Sequence, residues 1–179
     1  MAPFLGGRDV PVGDLIAETT GIEPVIFNDV SALMAAEHWF GVGTGLRSFA
    51  IITLGVGVGY GLVMHDRLVT HPDMGIGLVG HYPLQAGGGL CLAGHRECAT
   101  AALTTGSLVA AAANLAMPDR IVITGEGVDL ARIADQALDE GIRADRDARA
   151  GARGVGQMST APTDADCTSL TYFASTPRV

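Results

Sequence analysis

The chain has 179 residues, 48% hydrophobic and 17% charged, a composition that predicts a globular domain or lobe and excludes a mainly disordered chain. The formal net charge is −8, and no basic stripe is present to neutralise phosphates, so we expect no nucleic-acid partner for this chain. Three cysteines are too few for a disulfide framework and favour a reduced, cytoplasmic setting.

The first forty residues predict a helix, a strand and a second helix. Residues 12–21 read as a short amphipathic helix. Pro24–Phe27 is a short apolar run bounded by Pro and Asn, which predicts a buried strand. We expect Asp29 or Ser31 to cap the next helix, residues 30–40.

Asn28 and Asp29 follow that strand at its carboxyl end. A carboxylate at this position, next to a glycine-rich loop, is where an α/β protein places a general base. The same pair is also a common helix N-cap, which contributes about 1 kcal/mol. The sequence leaves both interpretations open.

Glycines occupy alternate positions from Gly55 to Gly61, between two apolar runs. Because glycine weakens strands, this alternation predicts either amides that bend around a phosphate or a tight hairpin. The surrounding residues predict an antiparallel meander with strands at 48–54, 60–64 and 68–70, since the connections are too short for parallel crossovers.

A compact knuckle between Cys91 and Cys98 follows a long irregular loop. With His81 before it and His95 within it, the knuckle has the ligand types of a structural zinc site. The spacing is not the double Cys-x-x-Cys pattern, so buried thiols and loop histidines are the alternative.

The rest of the chain predicts helix, strand and helix, then a tail. Residues 98–117 are uncharged but too weakly hydrophobic for a membrane span, so we expect a buried Ala-rich helix and no membrane partner. A strand is predicted at 121–124. Gly125 and Gly127 after it suit either an adenosine moiety or anion, or close strand–helix packing. Residues 149–179 are expected to be a mostly disordered tail.

Taken in order, these motifs resemble the ROK family of repressors, open reading frames and sugar kinases. The matching segments are Val25 to Val30, Thr53 to Gly61, Gly77 to His81, Cys91 to Cys98 and Pro118 to Gly125. The resemblance implies an α/β fold: a ribonuclease H-like, actin-like ATPase lobe with a mixed sheet, an antiparallel meander and flanking helices. Residues 1–148 are similar to an incomplete C-terminal lobe of an actinobacterial-type regulator or glucokinase-like protein.

The resemblance also implies roles for individual positions. Asp29 would be the base that takes the proton from the attacking sugar hydroxyl, Asn28 would contact the sugar, and His81 would contact sugar and ligate zinc. The contacts implied for ATP with Mg are Gly55, Val56, Gly57, Gly59, Gly125 and Gly127. The zinc ligands implied are His81, Cys91 and Cys98, with His95 as a substitute.

Several departures from the family pattern accompany these matches. Leu78 stands where the family has its sugar-binding Glu, and losing such a hydrogen bond costs on the order of 1–3 kcal/mol of sugar affinity. Ala93 replaces a zinc cysteine, Glu97 a glycine, and Val56 the usual phosphate-loop Thr. Neither a first-lobe phosphate loop nor a helix-turn-helix domain is matched. We therefore expect a truncated, internally deleted paralogue.

The sequence predicts a sugar-binding, sugar kinase-like protein that is regulatory or catalytically impaired. One alternative is an active ATP-dependent kinase that transfers the γ-phosphate to a hexose or N-acetylhexosamine with Asp29 as base. The other is a scaffold that forms a homodimer through the Ala-rich helix.

Overall fold

The computed structural model describes residues 10–55, 57–71, 79–84, 87, 89–91, 94–102, 105–133, 135–145, 156–159 and 170–173. These residues form a mixed sheet with helices on both faces, which confirms the expected α/β lobe. The helices are α1 (Val12–Thr20), α2 (Asp29–Phe40), α3 (Ala99–Ala102), α4 (Thr105–Ala116), α5 (Val128–Ile133) and α6 (Asp135–Asp145). The strands are β1 (Phe49–Leu54), β2 (Val58–Met64), β3 (Arg67–Leu68), β4 (Arg120–Thr124), β5 (Gly156–Ser159) and β6 (Leu170–Phe173).

The strand order of the sheet is β3-β2-β1-β4-β6-β5. Strands β1, β2 and β3 form the predicted antiparallel meander, and β1 pairs with β4 in parallel. The carboxyl ends of β1 and β4 therefore lie side by side at one edge of the sheet, where open α/β sheets bind ligands.

Each face of the sheet buries its own apolar cluster. On one face, Phe49 and Ile51 of β1 pack with Met34 of α2. On the other face, alternate residues of β1 and β4 pack with α4 and α6. The buried members of this second cluster include Ala50, Ile52, Leu108, Val109, Ala112, Ile121, Ile123, Leu138 and Ile142. The alternation of the strands thus fixes which helix covers which face.

The predicted buried strand at Pro24–Phe27 is wrong. This segment lies outside the strands of the described residues, and Val25 and Phe27 are 77% and 64% exposed. Both long edges of β1 are already occupied, by β2 and β4, so the central strand offers this segment no place to pair. An apolar run becomes a strand only where a neighbouring strand has free backbone groups.

The ends of the first two helices follow local rules. Helix α1 ends at Gly21, whose left-handed φ of 69° provides the predicted C-terminal stop. Helix α2 ends before Gly41, as predicted, but its N-cap is Asn28. The expectation that Asp29 or Ser31 caps this helix is therefore wrong.

The Ala-rich segment forms α3 and α4, and α4 turns its small residues toward the sheet. Among the described residues, none of the helices combines the length and apolarity needed to cross a bilayer.

The part of the tail that the structure describes consists of two strands. β6 pairs antiparallel with β4, and β5 pairs with β6. The mostly disordered tail expected at residues 149–179 stays a prediction, and the rest of the tail lies outside the described ranges.

Candidate functional site

Asn28 and Asp29 lie at the N-terminus of α2. Asn28 Oδ1 accepts hydrogen bonds from the backbone N–H groups of Val30 at 3.1 Å and Ser31 at 3.3 Å. Asp29 Oδ1 accepts a second bond from the Val30 N–H at 2.8 Å. Asn28 thus serves as the helix cap, and the exposed Asp29 carboxylate points from the first turn, where the helix dipole stabilises negative charge.

Two of the alternating glycines are packing residues. A Cβ atom at Gly59 would lie 2.8 Å from Val30 Cγ2 and would collide with the Thr53 hydroxyl. A Cβ atom at Gly61 would lie 2.7 Å from Met34 Sδ. These glycines allow α2 to lie directly on strand β2, and this contact brings the first turn of α2 against the hairpin.

The other two glycines form the hairpin turn between β1 and β2. The Gly55 N–H donates to the Gly57 carbonyl at 3.0 Å, and both residues are exposed, with open space around their Cα atoms. Val56 lies outside the described residues. Residues 55–61 are therefore part of a tight hairpin. The turn at Gly55 and Gly57 has room for a ligand, and the strand positions Gly59 and Gly61 do not.

Gly125 and Gly127 pack against the other side of this hairpin. A Cβ atom at Gly125 would lie 3.0 Å from the Leu54 carbonyl carbon, and the Gly125 φ is 105°. The Gly127 N–H donates to the Leu54 carbonyl at 2.9 Å. Close strand–helix packing, one of the two interpretations left open by the sequence, is therefore present at both glycines.

Gly80, the residue before His81, packs against the hairpin. A Cβ atom at Gly80 would lie 2.8 Å from the Val58 carbonyl oxygen. The Thr100 hydroxyl donates to the Gly80 carbonyl at 2.8 Å, which anchors this turn to helix α3. Three separate segments, which carry Asp29, His81 and Gly125, thus contact one short hairpin from Leu54 to Gly59.

The knuckle brings His81, Cys91 and His95 together as candidate metal ligands, and Cys98 lies beside His81. His81 Nδ1 lies 3.7 Å from Cys91 Sγ and 3.8 Å from Cys98 Sγ. His95 Nδ1 lies 3.8 Å from Cys91 Sγ, and the ligand atoms of His81, Cys91 and His95 all lie within 4.8 Å of one another. Tetrahedral zinc, with bonds of about 2.3 Å to sulfur and about 2.0 Å to nitrogen, would separate such atoms by about 3.5 Å. The donors of His81, Cys91 and His95 therefore fit a zinc ion, and Cys98 Sγ lies outside this group of three.

Thr53 and Thr124 are polar residues near the candidate site that the sequence reasoning did not single out. They are paired across β1 and β4 at the carboxyl edge of the sheet. Thr53 stands two residues before Gly55 and Thr124 directly before Gly125, and that position is the signal that could have found them. Leu78, by contrast, lies outside the described residues.

The mixed sheet, its glycine hairpin and the capped helix above it define a lobe of the actin-like ATPase class. The ROK hexokinase of Thermus thermophilus shares this fold, with a TM-score of 0.63, 24% identity and coverage of 76% of this chain and 62% of the hexokinase. The chain belongs to the ROK family, whose model matches residues 1–160.

Kinases and a repressor are both among its relatives. The glucokinase of Thermotoga maritima is 38% identical over 96 residues, which cover 53% of this chain and 30% of that protein. The DNA-binding transcriptional repressor Mlc of Escherichia coli is 26% identical over 91 residues, 51% of this chain and 22% of the repressor. The chain thus spans less than a third of the length of these two relatives.

Proposed function

We propose that this chain is a sugar-binding lobe of a ROK protein, kinase-like in fold and regulatory in use. The position of Asp29 carries the proposal. This carboxylate opens α2, and the next residue, Val30, packs on Gly59 just beyond the glycine turn. A carboxylate at this place can accept hydrogen bonds from sugar hydroxyls while the turn faces a phosphate. Relatives that include a glucokinase and a repressor support a sugar ligand.

The regulatory part of the proposal depends on Leu78. Leu cannot accept a hydrogen bond from a sugar hydroxyl, so the site lacks one polar contact that the family pattern provides. A site that binds sugar without completing phosphoryl transfer suits a sensor, because the ligand then acts by favouring one conformation.

The alternative function is active sugar phosphorylation. Asp29 opens helix α2 beside the glycine hairpin, and phosphoryl transfer requires mainly positioning and charge stabilisation, which supports this alternative. In this alternative Asp29 takes the proton of the attacking hydroxyl, and the hairpin amides lie against the phosphates of ATP with Mg.

We also propose that His81, Cys91, Cys98 and His95 would hold a structural zinc ion. His81, Cys91 and His95 already lie within 4.8 Å of one another, and Cys98 as a fourth ligand would close the coordination sphere, which is the pattern of structural rather than catalytic zinc. The bound metal would supply rigidity: it would fix His81 and, through Gly80, the start of strand β2.

The experiment that tests the function measures binding and turnover on the same protein. Calorimetry with a panel of hexoses and N-acetylhexosamines should detect binding, and a coupled ADP-release assay should detect no turnover. Asp29→Asn should weaken sugar binding about tenfold by removing a charged acceptor. Asp14→Asn, in the exposed helix α1, is the matched control and should bind as the wild type does.

Two outcomes would change the assignment. ATP-dependent turnover that disappears in Asp29→Asn would establish the active kinase instead. A chain that binds none of these sugars would contradict both functions. Leu78→Glu provides an independent check, because restoring the acceptor should raise sugar affinity by about tenfold or more.

The scaffold alternative has less support. Helix α4 turns its Ala-rich face to the sheet, so that face is not available for a second chain. A homodimer and a cytoplasmic location stay predictions.

A further inference from the structure

Two segments that carry candidate metal ligands lie side by side in the knuckle. The first is the turn Val79–His81, and the second runs from the buried Cys98 into helix α3. The Ala99 N–H donates to the Tyr82 carbonyl at 3.0 Å, so the two segments are joined by their backbones. This pairing places His81 beside Cys98.

Thr100 adds a side-chain bond to this pairing. Its hydroxyl donates to the Gly80 carbonyl at 2.8 Å. On its other side the buried Gly80 packs on the hairpin, because a Cβ atom there would lie 2.8 Å from the Val58 carbonyl oxygen. A residue that is held from two sides cannot rotate freely. The Thr100 hydroxyl therefore fixes the direction in which the next residue, His81, leaves the turn.

His81 contacts both of the thiols in the knuckle. Its Nδ1 lies 3.7 Å from Cys91 Sγ and 3.8 Å from Cys98 Sγ, whereas the group of three ligands within 4.8 Å of one another contains Cys91 and not Cys98. Zinc sites tolerate deviations of only about 0.2 Å in their ligand distances. The orientation of His81 thus decides whether Cys98 joins as the fourth ligand.

We propose that Thr100 is a positioning residue of the metal site. Its bond to the Gly80 carbonyl orients His81 so that one metal ion is held by Cys91 and Cys98 together. The inference rests on the proposed zinc site. Groups that orient a ligand without touching the metal change metal affinity by about 10–100-fold when they are removed. Thr100 has this effect through the backbone of the ligand segment.

The first test measures zinc affinity by chelator competition on the full chain. Thr100→Val keeps the shape of the side chain and removes the donor, so it should bind zinc about tenfold more weakly. Thr19→Val is the matched control, because the Thr19 hydroxyl also donates to a backbone carbonyl, that of Leu15 at 2.6 Å, but in the exposed helix α1. This control should bind zinc as the wild type does.

Two further variants separate the lost donor from a disturbed fold. Thr100→Ser keeps the hydroxyl and should retain the zinc affinity of the wild type. Thr100→Ala removes the donor together with the methyl group and should bind zinc as weakly as Thr100→Val does. A purely structural role would lower the free energy of unfolding in these variants and leave the zinc affinity of the folded chain unchanged.

Cobalt(II) in place of zinc provides a spectroscopic readout. Charge-transfer absorption from thiolate to cobalt reports the thiolates that are bound to the metal. In Thr100→Val this absorption should fall toward that of a single thiolate, because Cys98 no longer joins the coordination sphere. In Thr100→Ser it should equal that of the wild type.

Three outcomes would overturn the proposal. The first is a wild-type zinc affinity and cobalt spectrum in Thr100→Val, and the second is zinc binding by Thr100→Ser that is as weak as that of Thr100→Val. The third is a wild type that binds no zinc, which would end the proposed zinc site as well. Hexose binding is measured separately, so a failure to bind sugar contradicts the proposed sugar function and not the role of Thr100.

Discussion

The backbone of Leu54 occupies the space that a side chain at Gly125 would need. The Leu54 carbonyl carbon lies 3.0 Å from the ideal Cβ position of Gly125, and the Leu54 carbonyl accepts a hydrogen bond from the Gly127 N–H at 2.9 Å. These contacts join the turn after β4 to the start of the glycine hairpin. The two candidate nucleotide segments are thus held together by backbone contact.

Gly125→Ala should destabilise the lobe by about 2–4 kcal/mol, because it adds a clash with Leu54 to a left-handed backbone. Gly45→Ala is the matched control: its φ of 76° is also left-handed, but the space around it is open. The control should cost about 1–2 kcal/mol. Urea denaturation gives both free energies of unfolding, and equal losses would show that the contact with Leu54 does not matter.

Gly61→Ala tests the packing of α2 on the hairpin. The new methyl group would lie 2.7 Å from Met34 Sδ, so we expect a loss of about 1–3 kcal/mol in the free energy of unfolding. Gly55→Ala, with open space around it, should change stability by less than about 0.5 kcal/mol. If the two variants unfold at the same urea concentration, α2 does not rest on Gly61.

The hairpin shows how far sequence reasoning reaches. The apolar runs predicted β1 and β2, because strand character follows from local pattern. The four glycines look alike in sequence, yet Gly59 and Gly61 pack against α2 while Gly55 and Gly57 form the turn. This difference depends on where a distant helix lies, and no local pattern records that position.

The strand wrongly predicted at Pro24–Phe27 and the arrangement of the knuckle also depend on distant parts of the chain. Pro24–Phe27 has the pattern of a strand but pairs with none of the strands of the described residues, and the central strand β1 is already paired on both sides. The types of metal ligand were readable from the sequence. That His95 stands close to Cys91 follows from the turn of the knuckle, in which the Cys91 N–H donates to the His95 carbonyl at 2.9 Å.

Asn28→Ala should lower the free energy of unfolding by about 1 kcal/mol, because it removes the acceptor for two N–H groups at the start of α2. Asn28→Asp keeps an acceptor oxygen and should be close to the wild type. Both values come from urea denaturation. Equal stability of the alanine variant and the wild type would mean that Asp29 can replace the cap.

Zinc binding gives a prediction for His95. Elemental analysis of freshly purified protein should find one zinc per chain, and His95→Ala should lower the zinc affinity at least about tenfold by opening the coordination sphere. His71→Ala removes a histidine outside the cluster and should leave the affinity unchanged. Protein purified without any metal would end the zinc proposal, and full affinity in His95→Ala would exclude His95 as a ligand.

The partly buried phenol of Tyr60 should make the free energy of unfolding depend on pH in the alkaline range. Its ring packs against the apolar cluster between the sheet and helices α4 and α6. Burial raises the pKa of its phenol above the ordinary value of 10.0. The unfolded chain therefore releases this proton at a lower pH than the folded chain does. The stabilisation is complete below about pH 10 and is lost as the pH rises through the higher folded value.

Tyr60→Phe should remove the contribution of this phenol to the pH dependence of the free energy of unfolding. The chain has no lysine, so tyrosines contribute much of the titration in this range. Urea denaturation at about pH 9 and about pH 11 should show a smaller fall in the free energy of unfolding for Tyr60→Phe than for the wild type. Tyr82→Phe, at an exposed position, is the control and should retain the full fall. An equal fall in Tyr60→Phe and the wild type would mean that the phenol ionises as readily in the folded lobe as in the unfolded chain.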